Sequence, residues 1–152
     1  MIPDKVMDVL RRHGLAPLEF EPGSTPTAET AAARVGVAVG QIAKSILLIG
    51  KDGRHRMAVL PGDKRLSSSA IKRITGVKHS MPDAEETFRV TGFRPGGVCP
   101  FGVDGGVVIL IDRGLAEYPT IYPAAGTDAS AVPMTFDKLL EVTGGSVETL
   151  TG

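Results

Sequence analysis

Three short apolar runs set the strongest limit on how this chain can fold. They are Ser45-Ile46-Leu47-Leu48-Ile49, Met57-Ala58-Val59-Leu60 and Val107-Val108-Ile109-Leu110-Ile111. Each has the length of a strand and is far too short to span a membrane. The runs are unbroken rather than alternating, as expected of strands covered on both faces. Gly50-Lys51-Asp52-Gly53 joins the first two, and Asp-Gly in a short polar link predicts a hairpin turn. A sheet buried on both sides needs helices on both sides. The prediction is an α/β fold with a mixed sheet and flanking helices.

The segments between the runs supply those helices. Val6, Met7, Val9 and Leu10 form one apolar face between Pro3 and Gly14. Thr27 is a good N-cap for an alanine-rich helix over Ala28–Val35, closed by Gly36. Gln41–Ala43 reads as one further turn. Ser67–Thr75 reads as a helix ending at Gly76. Asp83 and Glu86 have capping-box spacing for a helix over Ala84–Val90, and Thr135 caps one through Leu140. Leu18–Glu21, Thr120–Tyr122 and Ala131–Met134 are further extended pieces. No repeat or long linker divides the chain, so residues 1–152 are expected to form one domain.

The charge count is balanced, with 17 Lys+Arg against 17 Asp+Glu, which excludes a generic nucleic-acid binder. Aromatic residues make up 5% and Trp is absent, which argues against a stacking platform for single strands. The balance hides an uneven distribution. Residues 44–94 hold eleven cations and five carboxylates, an electrostatic footprint suited to phosphates. A single cysteine excludes an internal disulfide framework and multi-cysteine metal sites. The N-terminus carries no apolar signal core. The expectation is a cytoplasmic protein with no membrane partner and no DNA partner.

Several catalytic signatures are absent. His13, His55 and His79 have no metal-ligand spacing, and there is no Gly-x-Ser-x-Gly elbow. Gly40-Gln41-Ile42-Ala43-Lys44-Ser45 resembles a phosphate-loop end but lacks the glycine before the lysine, and Lys44 opens a strand rather than a helix. Lys44 itself stands immediately before the first apolar run. It is either a snorkelling side chain with a solvated head or a fixed cation facing a pocket. Gly92-Phe93-Arg94-Pro95-Gly96-Gly97-Val98-Cys99-Pro100-Phe101-Gly102 holds four glycines and two prolines in eleven residues. It is either an ordinary surface loop or a rigid one whose free N–H groups hold an oxyanion or a ribose oxygen. Cys99 lies inside it without a neighbouring histidine, which favours a packing or pocket-lining role over a nucleophilic one.

Taken in order, these segments resemble the YbaK family of prolyl-tRNA-synthetase-associated editing domains. The resemblance runs through Gln41–Leu47, Val59–Leu66, Thr91-Gly92-Phe93, Gly96–Gly102, Ile111-Asp112 and Ala125-Gly126. It covers roughly Thr25 to Gly145. It implies a mixed, barrel-like sheet with flanking helices, and an aminoacyl-tRNA deacylase that needs no metal and no cofactor. The substrate would be the ester between a wrong small amino acid and the 3′ end of tRNA-Pro or a similar tRNA, with a synthetase as a possible recruiting partner. Such an activity answers a physical limit: one pocket separates side chains differing by a methylene by only about 1–3 kcal/mol.

Carried over residue by residue, the resemblance implies that Lys44 holds the terminal nucleotide. It implies that the Gly-x-x-x-Pro loop, Gly96 to Pro100, positions the scissile carbonyl. Thr27, Ser45, Gly97, Val98, Cys99, Phe101 and Gly126 would border the substrate. Two positions depart from the family pattern: Cys99 replaces a frequent serine and Ser45 a frequent threonine. In the branch that clears cysteine an aspartate occupies the last loop; here Ala131 aligns with it and Asp128 is the nearest carboxylate. The alternative is a non-catalytic tRNA- or synthetase-binding module of the same fold.

Overall fold

A computed structural model describes all residues, Met1–Gly152. The elements are α1 (Asp4–Arg12), β1 (Leu18–Glu19), α2 (Ala28–Val35), β2 (Ile42–Gly50), β3 (His55–Pro61), α3 (Ser68–Thr75) and β4 (His79–Ser80). They continue with α4 (Ala84–Thr91), β5 (Val108–Asp112), β6 (Tyr122–Pro123), β7 (Ser130–Ala131), α5 (Phe136–Thr143) and β8 (Ser146–Glu148). Six strands form a mixed sheet in the order β4-β2-β3-β5-β8, with β6 also pairing β2. β1 and β7 make a separate antiparallel ribbon.

The apolar runs are unbroken because the sheet is covered on both faces, and the residues divide by parity. Met57, Val59, Ile109 and Ile111 enter the main core of 19 buried residues, which also takes Val6 and Leu10 of α1 and Leu139 of α5. Ala58, Leu60 and Leu110 face the other way, against Ile71 of α3 and Leu150. Successive side chains on a strand point to opposite faces, so both faces must be apolar. Four helices share one punctuation. Thr27, Ser67, Asp83 and Thr135 each accept a main-chain N–H at the start, and Gly36, Gly76, Gly92 and Gly144 each end the helix in the left-handed region.

Several boundaries differ from the sequence reading. The expected turn at Gln41–Ala43 is a 3-10 turn over Val39–Gln41, and the strand begins at Ile42. Pairing of Ile42 and Ala43 with Tyr122 and Pro123 extends β2 backwards, so Lys44 lies inside the strand rather than ahead of it. The box at Asp83 is half built. Asp83 accepts from the Glu86 N–H, but the Glu86 carboxylate turns instead to His55 Nε2, 2.9 Å away. β8 has no apolar run to announce it. It is held in place by its pairing with β5 and by Asp112.

Asp112 is 2% exposed, and both its oxygens are occupied. Oδ1 accepts from the Leu150 N–H at 2.7 Å and Oδ2 from the Gly114 N–H at 2.9 Å. Removing the carboxylate strands two donors. Asp112→Ala should cost about 3 kcal/mol, from the ~1.5–3 kcal/mol of each charge-assisted bond. Calorimetry should show a melting temperature lower by roughly 6–12 °C for a chain of this size.

Candidate active site

β2 has one neighbour along one edge and two along the other. β3 pairs it from Ala43 to Ile49. On the opposite edge β6 covers Ile42 and Ala43, and β4 covers Ile49 and Gly50. Between them the edge from Lys44 to Leu48 has no strand partner. The direction of its main-chain groups follows from the ladder. The Gly62 N–H donates to the Ile42 carbonyl and the Gly50 N–H to the Arg54 carbonyl, so even-numbered residues bond toward β3. Ser45 and Leu47 therefore turn their N–H and C=O groups into the gap.

The gap opens into a cavity of about 360 Å³. Ile42–Leu47 line one wall, Thr25–Ala28 a second, Met81, Pro82 and Thr87 a third, and Pro95, Gly96 and Val98 the mouth of the loop. Small side chains, Ala28, Ala31, Ala43, Ala124 and Ala131, leave the volume free. Lys44 is the single cationic side chain on the wall. Its ammonium donates to the Gly62 carbonyl at 3.2 Å, which fixes the head and leaves further N–H groups for a ligand. The lining includes no histidine, aspartate or glutamate. The hydroxyls of Thr25 and Ser45, both on the wall, find no partner within the protein.

The glycine–proline loop is held by a turn. The Gly97 N–H donates to the Arg94 carbonyl at 3.0 Å, and Gly96 has φ +89. Pro95 at the second position and a left-handed Gly96 at the third are the residues a type II turn requires. The turn presses against two other loops. A Cβ on Gly96 would lie 3.2 Å from the Pro26 main chain, and one on Gly97 only 2.8 Å from the main chain of Gly126 and Thr127. The Gly97 amide is thus consumed by the turn, whereas the Gly96 and Val98 amides donate to no group of the protein.

The ten residues singled out from the sequence separate into two groups. Thr27, Lys44, Ser45, Gly96 and Val98 meet at the cavity. Gly97, Cys99, Pro100, Phe101 and Gly126 do not line it. Cys99 and Phe101 are core residues, and Pro100 borders a cleft on the far side of the loop with Val9. Gly126 packs against Phe93 and Pro3. Their apolar character is the signal that could have assigned Cys99 and Phe101 to the core. The wall from Met81, Pro82 and Thr87 was missed, because nothing in those residue types marks a site.

Three comparisons complete the picture. Residues 22–142 match the family model of the aminoacyl-tRNA editing domain. The chain is 34% identical over 123 residues to the uncharacterised protein YwhH of Bacillus subtilis (strain 168), covering 81% of this chain and 78% of that one. It is 24% identical over 126 residues to EbsC of Enterococcus faecalis, a candidate Cys-tRNA(Pro)/Cys-tRNA(Cys) deacylase, covering 82% and 77%. A crystal structure of a candidate trans-editing enzyme for prolyl tRNA synthetase superposes with a TM-score of 0.89 at 32% identity, over 100% of this chain and 99% of that one.

Burial pushes the Cys99 thiol up to about 12. Its thiolate is therefore scarce near neutral pH, and the sulfur has no exposed surface. A chromogenic disulfide reagent at pH 8 should leave the native protein unmodified over hours and titrate one thiol at once in denaturant. Fast modification of the native protein would contradict the burial.

Proposed function

The chain belongs to the aminoacyl-tRNA editing domain family, and on that premise we propose that it hydrolyses mischarged aminoacyl-tRNA in trans, with a small amino acid on tRNA-Pro or a similar tRNA as substrate. The observation that carries this reading is the meeting of Lys44, the free edge of β2 and the Arg94–Gly97 turn around one cavity. No helix is long and apolar enough to cross a membrane.

The chemistry follows from what the cavity offers. An aminoacyl ester is already activated, so the protein need not supply a nucleophile. It needs to hold the acyl group, hold the terminal nucleotide and meet negative charge where it develops. Lys44, anchored on Gly62, holds a phosphate or ribose oxygen of the terminal adenosine. The carbonyls of Ser45 and Leu47 accept from the α-ammonium of the amino acid. The unpaired amides of Gly96 and Val98 donate to the ester oxygen as it becomes an oxyanion. Water attacks the carbonyl carbon, the bond to the ribose oxygen breaks, and that oxygen takes the proton through the vicinal hydroxyl of the substrate. The absence of an acidic or imidazole side chain on the wall agrees with a proton path through the substrate. The alanines of the wall leave space for the aminoacyl group beside Lys44. A synthetase would serve to deliver the mischarged tRNA.

Mischarged tRNAs carrying alanine, serine, threonine or cysteine test the reading directly. The wild type should deacylate at least one of them, and Lys44→Ala should lower kcat/KM by about 100-fold, the scale for loss of one charge-stabilising donor. Cleavage of none would favour a non-catalytic tRNA- or synthetase-binding module. Cys99→Ser should keep most of the activity.

Gly97 offers a second handle. A methyl group there meets main-chain atoms of Gly126 and Thr127 that cannot yield, so the turn must move. Gly97→Ala should reduce kcat/KM by roughly 100-fold, the scale for a misplacement of about 1 Å, while circular dichroism shows a folded chain. Unchanged kinetics would remove the loop from the reaction.

A further inference from the structure

The cavity accounts for Lys44 but leaves most of the cations of residues 44–94 without a role. From Lys64 through Pro82 the chain has no carboxylate, yet it carries Lys64, Arg65, Lys72, Arg73 and Lys78. Lys64 borders a separate cleft with Asp63 and Asp112. Lys72 and Arg73 lie on the last turn of α3, whose chain leads directly to Lys78. There the Lys51 N–H donates to the Lys78 carbonyl at 2.9 Å, which brings the β2–β3 turn and the start of β4 together. Lys51, Arg54 and Lys78 are exposed, and none has a carboxylate within salt-bridge distance.

The turn beneath them is built so that its own carboxylate is neutralised. Arg56, 8% exposed, donates from Nη2 to Asp52 Oδ2 at 3.2 Å and from Nη1 to Oδ1 at 3.4 Å. The Arg54 N–H donates to the same Oδ1. These bonds hold the Asp52 carboxyl below its usual range. Arg56 Nη1 also lies 2.8 Å from His79 Nε2, and His79 Nδ1 lies 3.0 Å from the Val77 carbonyl. Nδ1 therefore carries the proton and Nε2 accepts. A Cβ on Gly50 would strike Asp52, Arg56 and His79 together, so this stack sits directly on the strand end. The carboxylates nearest on α4 are Glu86, bonded to His55, and the exposed Glu85. The outer cations are thus presented from a stiff base whose one internal anion is occupied.

Lys51, just past the end of β2, lies roughly 23 Å from Lys44, at about 3.3 Å per residue. β4 leads from the patch straight to Met81 and Pro82 on the cavity rim. We propose that Lys51, Arg54 and Lys78 form a phosphate-binding surface for the acceptor arm of the tRNA, several nucleotides from the terminal adenosine held at Lys44. Lys72 and Arg73 extend the same surface. The proposal rests on the reading of the substrate as an aminoacyl-tRNA. It assigns affinity to a surface apart from the site of hydrolysis, because backbone phosphates supply most sequence-independent binding.

The test separates the two surfaces. Uncharged proline tRNA is titrated against the wild type, K51A/R54A/K78A, and the charge-matched R11A/R12A/K138A on α1 and α5, over a range of salt. The same proteins are assayed on an aminoacylated four-nucleotide fragment with the tRNA 3′ sequence, too short to reach the turn. The first triple variant should bind tRNA at least tenfold more weakly. Its slope of log affinity against log salt should fall by about 2, the loss expected for three phosphate contacts. It should deacylate the fragment within twofold of wild type, and the distal triple should match wild type throughout. Unchanged tRNA affinity and slope in K51A/R54A/K78A would overturn the proposal. So would an equal loss in the distal variant, or a parallel loss on the fragment. Weaker tRNA binding in a protein whose wild type cleaves no ester would uphold the surface and overturn the hydrolase reading instead.

Discussion

The functional architecture depends on one unfinished edge. β2 is paired at both ends of its outer edge and left open in the middle, over Lys44–Leu48. A buried main-chain donor or acceptor without a partner is costly, so a sheet leaves such an edge only where something else can meet it. Here the opening is framed by β4 and β6, floored by small side chains and faced by a glycine–proline turn. Lys44 is on the wall because the strand continues past it. Gly96 is at the mouth because the turn is wedged between Pro26 and the Gly126–Thr127 loop.

The loop divides its labour along the chain. Pro95–Val98 makes the turn and presents free amides, while Phe93 before it and Cys99 and Phe101 after it are anchored in the core. Rigidity comes from the anchors, and the turn is left with free donors. This arrangement suits a reaction in which the substrate is already activated and the protein mainly positions and stabilises charge.

The fold was legible in the sequence to the extent that it rests on burial and capping. Unbroken runs such as Met57–Leu60 predict a strand covered twice, and Thr27 with Gly36 predicts both ends of α2. What escaped rests on tertiary pairing. The start of β2 at Ile42 depends on β6, eighty residues away along the chain, and β8 is a strand only because β5 and Asp112 hold it. The site shows the same division. Lys44 and Gly96 carry their own chemical signal. Met81, Pro82 and Thr87 become a wall only through the path of the chain from β4 into α4, while Gly126 backs the loop at Gly97 and Pro100 faces a separate cleft.

The open stretch of β2 has a bearing on solubility as well. An exposed strand edge invites pairing with a strand from another chain, and proteins blunt such edges by shortening, charging or covering them. This edge is recessed between two strands that share its outer side, and its open part is only Lys44–Leu48, with a cation at one end. Pro82 and Pro123, which cannot donate to a ladder, stand beside it. An incoming strand would have to displace β4 or β6 to extend its pairing, whereas a compact ligand needs no such displacement. The same recess that leaves room for a compact ligand thus keeps the free main-chain groups from seeding self-association.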